Sequence, residues 1–142
     1  MTPLKLAACA VWALLVPGAV AAKEAATLDI QEWNKPDGSR GFTLSADQVK
    51  AGTVVFKIRN VSTDEVHELL LVRTDLAPDA FPMEADGTRA NEKKLKGLKE
   101  LGDLKQGQSH TVTVSLRPGR YVLLCNEPGH FKAGMFTTLT VT

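Results

Sequence analysis

The chain has 142 residues, enough for one domain of roughly 100–150 residues and too few for two. It carries 17 basic and 16 acidic side chains, so its net charge is close to zero. This balance argues against a strongly basic surface that would bind nucleic acid. We therefore expect no nucleic acid among its partners.

Residues 1–22 have the features of a secretory signal peptide. Lys5 precedes an uncharged apolar run, and a proline followed by small residues comes after it. We predict cleavage after Ala21 or Ala22, which would leave residues 23–142 as the mature domain in the periplasm or elsewhere outside the cytoplasm. An uncleaved membrane anchor is the alternative, but the apolar run is shorter than the about 20 residues that cross a bilayer. We expect no membrane span in the mature chain.

The first half of the mature chain predicts three β-strands. Residues 27–33 alternate apolar and polar side chains for most of their length, which is the period-two pattern of a half-buried strand. Residues 53–60 place apolar side chains on one face and the charged side chains of Lys57 and Arg59 on the other. Residues 42–44 suggest a shorter strand between them.

The next predicted strand begins at His67. Residues 61–66 have the composition of a loop, and residues 68–73 are mostly apolar. His67 is therefore expected at one end of a sheet. Residues 75–108 contain several prolines and glycines, which predicts a long irregular insertion, with a short helix at about residues 91–101.

The last part of the chain predicts three more strands, at residues 111–116, 120–125 and 136–141. His110 lies in the alternating pattern of the first of these, where we expect it to point outward. About seven strands with turns between them and only one weak helix predict an all-β fold. The expected architecture is an antiparallel Greek-key β-sandwich with one long irregular insertion.

Cys125 would be the only cysteine of the mature chain, because the other of the two cysteines lies in the predicted signal peptide. No intramolecular disulfide could then form, and a free thiol in an exported protein is open to oxidation. Metal binding would explain why the cysteine is present. A buried and inert cysteine is the alternative.

Cys125, His130 and Met135 occur at C-x4-H-x4-M spacing between two predicted strands. One thiolate, two imidazoles and a weak axial thioether form a ligand set typical of electron-transfer copper sites. His67 is the predicted second imidazole, because it begins a strand, whereas His110 lies within one. A sandwich could bring these strand ends together at one pole. We predict one mononuclear copper site formed by His67, Cys125, His130 and Met135.

Two other uses of these side chains are less consistent with the sequence. Zinc also binds cysteine and histidine, but it rarely recruits a thioether such as that of Met135. A catalytic site would use Cys125 as the nucleophile and His67 or His130 as the base, yet no oxyanion-binding group or third catalytic group is evident. Three histidines are also too few for the further copper centres of a multicopper oxidase, so we expect no enzyme.

The segments that carry these residues resemble the cupredoxins, the small blue copper proteins similar to plastocyanin and azurin. The resemblance covers most of residues 27–142 and is most specific from Cys125 to Met135. It implies a Greek-key sandwich, a mononuclear site with the four ligands named above, and a one-electron carrier outside the cytoplasm. Glu68 departs from the pattern, because an asparagine often follows the first histidine in such proteins. Its backbone amide could still donate to the Cys125 thiolate.

Together these inferences predict an exported monomer that carries single electrons between redox partner proteins. The alternative is a periplasmic copper-binding protein that sequesters or delivers copper in copper tolerance, since the same four ligands would serve both functions. The chain has no methionine-rich or histidine-rich tract, which disfavours bulk copper storage. A docking face for redox partners is expected at Pro128, Gly129 and Phe131, beside a His130 that lies near the surface.

Overall fold

The computed structural model describes residues 25–142, so the predicted signal peptide lies outside the described residues. Residues 25–142 form nine strands in two sheets. No helix in this part of the chain is long and apolar enough to cross a bilayer. The strands are β1 (Ala26–Asn34), β2 (Arg40–Leu44), β3 (Gln48–Val49), β4 (Gly52–Asn60), β5 (His67–Arg73), β6 (Lys99–Leu104), β7 (Ser109–Leu116), β8 (Gly119–Leu124) and β9 (Phe136–Val141).

The two sheets form the predicted β-sandwich. The first sheet has the strand order β2-β1-β4-β7, and the second has the order β3-β9-β8-β5-β6. The expectation that all pairing is antiparallel is wrong, because β1 pairs in parallel with β4 and β3 pairs in parallel with β9. After β2 the chain crosses to the second sheet to form β3. It then returns to the first sheet and runs beside β1 in the same direction, as parallel pairing requires.

The main core lies between the sheets and is built from their inward-facing side chains. In β1 and β4 every second residue is buried, as the alternating pattern predicts. These rows meet inward-facing leucines and valines of the second sheet. The largest fully buried apolar residues of this core include Leu28, Ile30, Phe56, Ile58, Leu69, Leu71, Leu123 and Leu139.

A second apolar cluster covers the outer face of the second sheet. Leu70 and Val72 of β5 pack there with Phe81 and Leu95 of the insertion and with Phe131. Strands β5 and β8 are therefore buried on both faces, which explains their nearly continuous apolar sequences. The insertion thus adds a third layer over this sheet.

The insertion contains less helix than predicted. Its regular turns are two 3₁₀ segments, Pro78–Ala80 and Glu92–Lys94. The predicted helix at residues 91–101 is wrong, because Gly97 adopts a positive φ of 73°, which no α-helix accommodates. The chain then joins the second sheet as β6, where pairing with β5 satisfies its backbone groups.

One buried side chain, Asn60, organises the loop between β4 and β5. Its Nδ2 donates to the carbonyl oxygens of Glu65 at 2.9 Å and Leu104 at 2.8 Å. Its Oδ1 accepts a hydrogen bond from the Ser62 backbone amide at 2.9 Å and contacts the Ser62 hydroxyl. Because both ends of this amide are used, Asn60 fixes the path of the chain toward His67.

The inward row of β1 ends in an acidic residue, Glu32. This side chain is fully buried, and neither of its carboxylate oxygens has a hydrogen-bond partner among residues 25–142. Burial, with a smaller contribution from nearby Asp103, raises the pKa of Glu32 to about 8. The carboxyl group is therefore mostly protonated at neutral pH.

Replacing Asn60 with alanine should lower the free energy of unfolding by about 2–3 kcal/mol, because buried backbone groups lose their partners. Chemical denaturation of the metal-free protein measures this change. The matched control is Asn34→Ala, which removes two exposed hydrogen bonds, one to Asp64 of 2.7 Å and one from the Thr63 amide of 3.3 Å, and should cost less than about 1 kcal/mol. Equal losses in the two variants would contradict the role given to Asn60.

The raised pKa of Glu32 also predicts how stability depends on pH. The folded protein keeps a proton that the unfolded chain releases above the ordinary pKa of 4.5. The contribution of Glu32 is therefore complete below pH 4.5 and is lost as the pH rises through about 8. Between these values the free energy of unfolding should fall by at most about 1.4 kcal/mol per pH unit.

Unfolding measurements on the metal-free protein between pH 5 and 8 test this slope. The Glu32→Gln variant should lose the Glu32 part of the slope, because an amide does not titrate. Glu84→Gln, which changes an exposed glutamate, should keep the wild-type slope. Identical slopes in wild type and Glu32→Gln would show that Glu32 ionises normally.

Candidate metal centre

The sequence-predicted site residues lie at one end of the sandwich. His67 is the first residue of β5, Cys125 directly follows β8, and Met135 directly precedes β9. His130 lies in the loop between β8 and β9, and β8 is the neighbour of β5 in the second sheet. His110 is exposed on β7, opposite Ile58, and is not part of this cluster.

Three ligand atoms converge in the cluster. Nδ1 of His67 lies 3.3 Å from Nδ1 of His130. Sγ of Cys125 lies 3.3 Å from Nδ1 of His130 and 3.8 Å from Nδ1 of His67. The point equidistant from three atoms so arranged is about 2.0 Å from each, close to a metal–imidazole bond length and somewhat below a metal–thiolate one. The three donors therefore fit a single metal ion.

The loop that carries His130 closes on itself through backbone hydrogen bonds. The Cys125 amide donates to the Met135 carbonyl at 3.1 Å, and the Met135 amide donates to the His130 carbonyl at 3.0 Å. Gly129 and Gly134 take positive φ values of 82° and 92°, which glycine adopts without steric cost. These hydrogen bonds connect the backbone of Met135, whose side chain is fully buried, to the backbones of Cys125 and His130.

The Cys125 sulfur is buried and accepts a hydrogen bond from the Glu68 backbone amide. The Glu68 amide lies 3.3 Å from Sγ, a contact that the sequence analysis considered possible. Burial raises the pKa of Cys125 to about 12, although backbone hydrogen bonds from Glu68 and Glu127 act in the opposite direction. Without a cation the thiol keeps its proton. Binding of a metal would release that proton, so metal affinity should increase with pH.

Both histidines of the cluster are neutral at pH 7. Burial lowers the pKa of His67 to about 4, and the charges of His130 and Arg40 contribute further. Burial and Arg40 also lower the pKa of His130, against the opposing effects of Glu65 and Glu127. Neutral imidazoles offer a lone pair for metal binding, so the electrostatics of the cluster favour a cation over protons.

The side chain of Glu68 lies among other acidic groups. Its carboxylate, that of Glu100 and that of Asp103 have oxygens within 4.8 Å of one another. Burial, and then the charges of nearby acidic residues, raise the pKa of Glu68 to about 7. The side chain is thus only partly ionised at neutral pH, which limits the negative charge beside His67.

Asn126 joins the metal-site loop to the insertion. Its Oδ1 accepts a hydrogen bond of 2.8 Å from the Ala90 amide, and its Nδ2 donates to the Ala90 carbonyl and to Glu92 at 3.1 and 2.7 Å. The sequence analysis assigned no role to Asn126. Its position directly after Cys125, at the end of an apolar strand, is the signal that could have indicated a buried polar contact.

The expected docking face is wrong in one respect. Phe131 is only 6% exposed, because it stacks on Phe81 of the insertion with ring centroids 5.6 Å apart. Pro128 is exposed as expected, and His130 retains 9% exposure. The insertion, whose packing the sequence did not reveal, covers the side of the loop that carries Phe131.

Comparison with known proteins identifies similar families and folds. A family profile described as copper-binding proteins of the plastocyanin/azurin family matches residues 37–142. This range includes His67, Cys125, His130 and Met135. No curated protein sequence matches the chain.

Two solved structures illustrate the similarity in fold. Dithionite-reduced auracyanin from Roseiflexus castenholzii is 23% identical with a TM-score of 0.55, and the match covers 83% of this chain and 98% of that one. Rusticyanin from Thiobacillus ferrooxidans is 16% identical with a TM-score of 0.59, covering 84% and 79%. The family match spans most of the chain and confirms the predicted resemblance. The chain therefore belongs to the plastocyanin/azurin family of copper-binding proteins.

Proposed function

We propose that His67, Cys125, His130 and Met135 bind one copper ion and that the protein is an exported blue-copper carrier of single electrons. The convergence of two histidine Nδ1 atoms and one cysteine Sγ within 3.3–3.8 Å carries the proposal. Copper is the metal that names the family. When bound, it supplies a one-electron Cu(I)/Cu(II) couple.

Each side chain has a distinct role in the proposed site. Cys125 provides the thiolate, the strongest donor, and the Glu68 amide stabilises its charge through the 3.3 Å contact. His67 and His130 provide neutral imidazoles through Nδ1. Met135 would provide a weak thioether donor, a kind of ligand that tunes the reduction potential of such sites.

The surroundings of the site favour electron transfer over copper delivery. Cys125, His67 and Met135 are 0% exposed, so release of a bound ion would require the loop to open. The loop is closed by the Cys125–Met135 backbone hydrogen bond and is tied to the insertion through Asn126. A carrier needs such a stable site, whereas a delivery protein must hand over its metal.

The cellular location of the protein is inferred from residues 1–22. Their sequence pattern supports export and cleavage after Ala21 or Ala22. The mature domain, residues 23–142, would then exchange electrons with redox partner proteins outside the cytoplasm as a monomer. The mass of the protein recovered from the periplasm would locate the cleavage position.

Addition of Cu(II) to the wild-type protein should produce an intense visible absorption band from thiolate-to-copper charge transfer. Cys125→Ser should abolish the band, because a hydroxyl is not the soft, charge-donating ligand that a thiolate is. Absorption spectra taken during copper titration measure this. A wild-type protein without the band would reject the blue-copper site.

The two histidines of the β-strands provide a matched control. His67→Ala should lose or strongly change the band, whereas His110→Ala should keep it, since His110 is exposed on β7 outside the cluster. A band that depends on His110 and not on His67 would contradict the ligand assignment.

Replacing Met135 with leucine should raise the reduction potential while the visible band is retained. Loss of the axial donor removes electron density that stabilises Cu(II) more than Cu(I). Cyclic voltammetry measures the change and also tests whether the wild-type protein cycles reversibly by one electron. Met83→Leu, at a half-buried methionine of the insertion, is the control and should leave the potential unchanged. An unchanged potential in Met135→Leu would exclude Met135 as the axial ligand.

A further inference from the structure

A carboxylate of the β4–β5 loop lies against the outer edge of His130. Nδ1 of this ring faces Cys125 and His67, so Nε2 is the nitrogen that remains on the other side. Oε2 of Glu65 lies 3.8 Å from Nε2. This oxygen is buried and has no hydrogen-bond partner among residues 25–142, so no other described group competes for it.

The position of Glu65 is fixed from two directions. Its other carboxylate oxygen, Oε1, accepts a hydrogen bond of 2.9 Å from Nη2 of Arg40. Its backbone carbonyl lies 2.9 Å from Nδ2 of Asn60 and 2.9 Å from the Ser62 hydroxyl. One oxygen is thereby occupied by Arg40, and the free oxygen is left beside His130.

We propose that Glu65 is a positioning residue for His130, and that its free carboxylate oxygen accepts the Nε2–H of the ring when Nδ1 binds the metal. Metal-binding histidines commonly donate their second N–H to a carboxylate, which fixes the tautomer and makes the ring a stronger donor. The 3.8 Å separation exceeds a hydrogen bond, and a side-chain movement of about 1 Å would close it. The inference rests on the proposed copper site.

The contact between Glu65 and His130 should act on the ring through a hydrogen bond and not only through the charge of the carboxylate. Arg40 offsets much of the negative charge of Glu65, so a more distant group experiences a nearly neutral pair. Nε2 of His130, by contrast, lies directly against the free oxygen. A hydrogen bond there would add electron density to the imidazole and stabilise Cu(II) more than Cu(I).

Glu127 provides a closely matched control. It also pairs with an arginine, Arg89, at 3.5 Å, and its side chain is 29% exposed, compared with 26% for Glu65. Both carboxylates act on the pKa of His130 in the same direction. No ion pair joins Glu127 to Nε2 in the described part of the chain. The side chains of the two glutamates thus differ mainly in contact with the ring, and the backbone contacts of Glu127 with Cys125 and His130 are kept in Glu127→Gln.

The experiment compares Glu65→Gln with Glu127→Gln. In Glu65→Gln the amide oxygen would pair with Arg40 and the amide NH₂ would face the Nε2–H of His130, so that two donors oppose each other. The dissociation constant for Cu(II), measured by competition titration, should rise about tenfold or more. If the affinity for Cu(I) is unchanged, a tenfold loss raises the one-electron potential by about 59 mV.

The tautomer of His130 in the metal-free protein gives a second readout, obtained from long-range ¹H–¹⁵N correlation spectra. Wild type and Glu127→Gln should show the Nε2–H tautomer, whereas Glu65→Gln should shift toward Nδ1–H. Equal effects of both variants on Cu(II) affinity would show that only charge matters, and an unchanged tautomer and affinity in Glu65→Gln would likewise overturn the proposal. Absence of the visible copper band in wild type would reject the proposed function instead, while the tautomer comparison would still decide the contact.

Discussion

The site depends above all on the backbone hydrogen bond between the Cys125 amide and the Met135 carbonyl, 3.1 Å long. It follows directly after the last paired residues of β8 and β9, Leu124 and Phe136. The two strands therefore hold both ends of the loop at a fixed separation, and His130 lies on the short segment between them. The sheet, rather than the loop itself, determines where the loop donors lie relative to His67 on neighbouring β5.

Burial is the second constraint, and it acts on every ionisable group of the site in the same sense. It raises the pKa of Cys125 to about 12 and lowers that of His67 to about 4, so each group prefers its neutral form. A single cation reverses this preference for the thiol and uses the lone pairs of the imidazoles. The carboxyl group of Glu32 has no hydrogen-bond partner among residues 25–142 and stays mostly protonated at neutral pH. Burial thus favours metal binding by Cys125 and His67, and it keeps the carboxyl group of Glu32 uncharged.

The sequence was informative where a local pattern decides the structure. The alternation of β1 and β4 and the strand start at His67 match the structure, and Cys125 and Met135 flank the loop between β8 and β9. The strand β3 has two residues, too few for a periodic pattern. The edge strand β6 contains Gly102 and charged residues, so its sequence does not show the alternation of a strand. The burial of Phe131 and the contact between Glu65 and His130 depend on how distant segments pack, which no local pattern encodes.

The insertion makes the second sheet the middle layer of three, with an apolar cluster on each of its faces. Cys125 directly follows β8 of this sheet and is 0% exposed, so water is excluded from its sulfur and the effective dielectric constant there is low. In such surroundings a state with a net charge is penalised relative to a neutral one. A thiolate paired with a monovalent cation is neutral, and one paired with a divalent cation is not. The burial of Cys125 thus favours the reduced state of the site over the oxidised one.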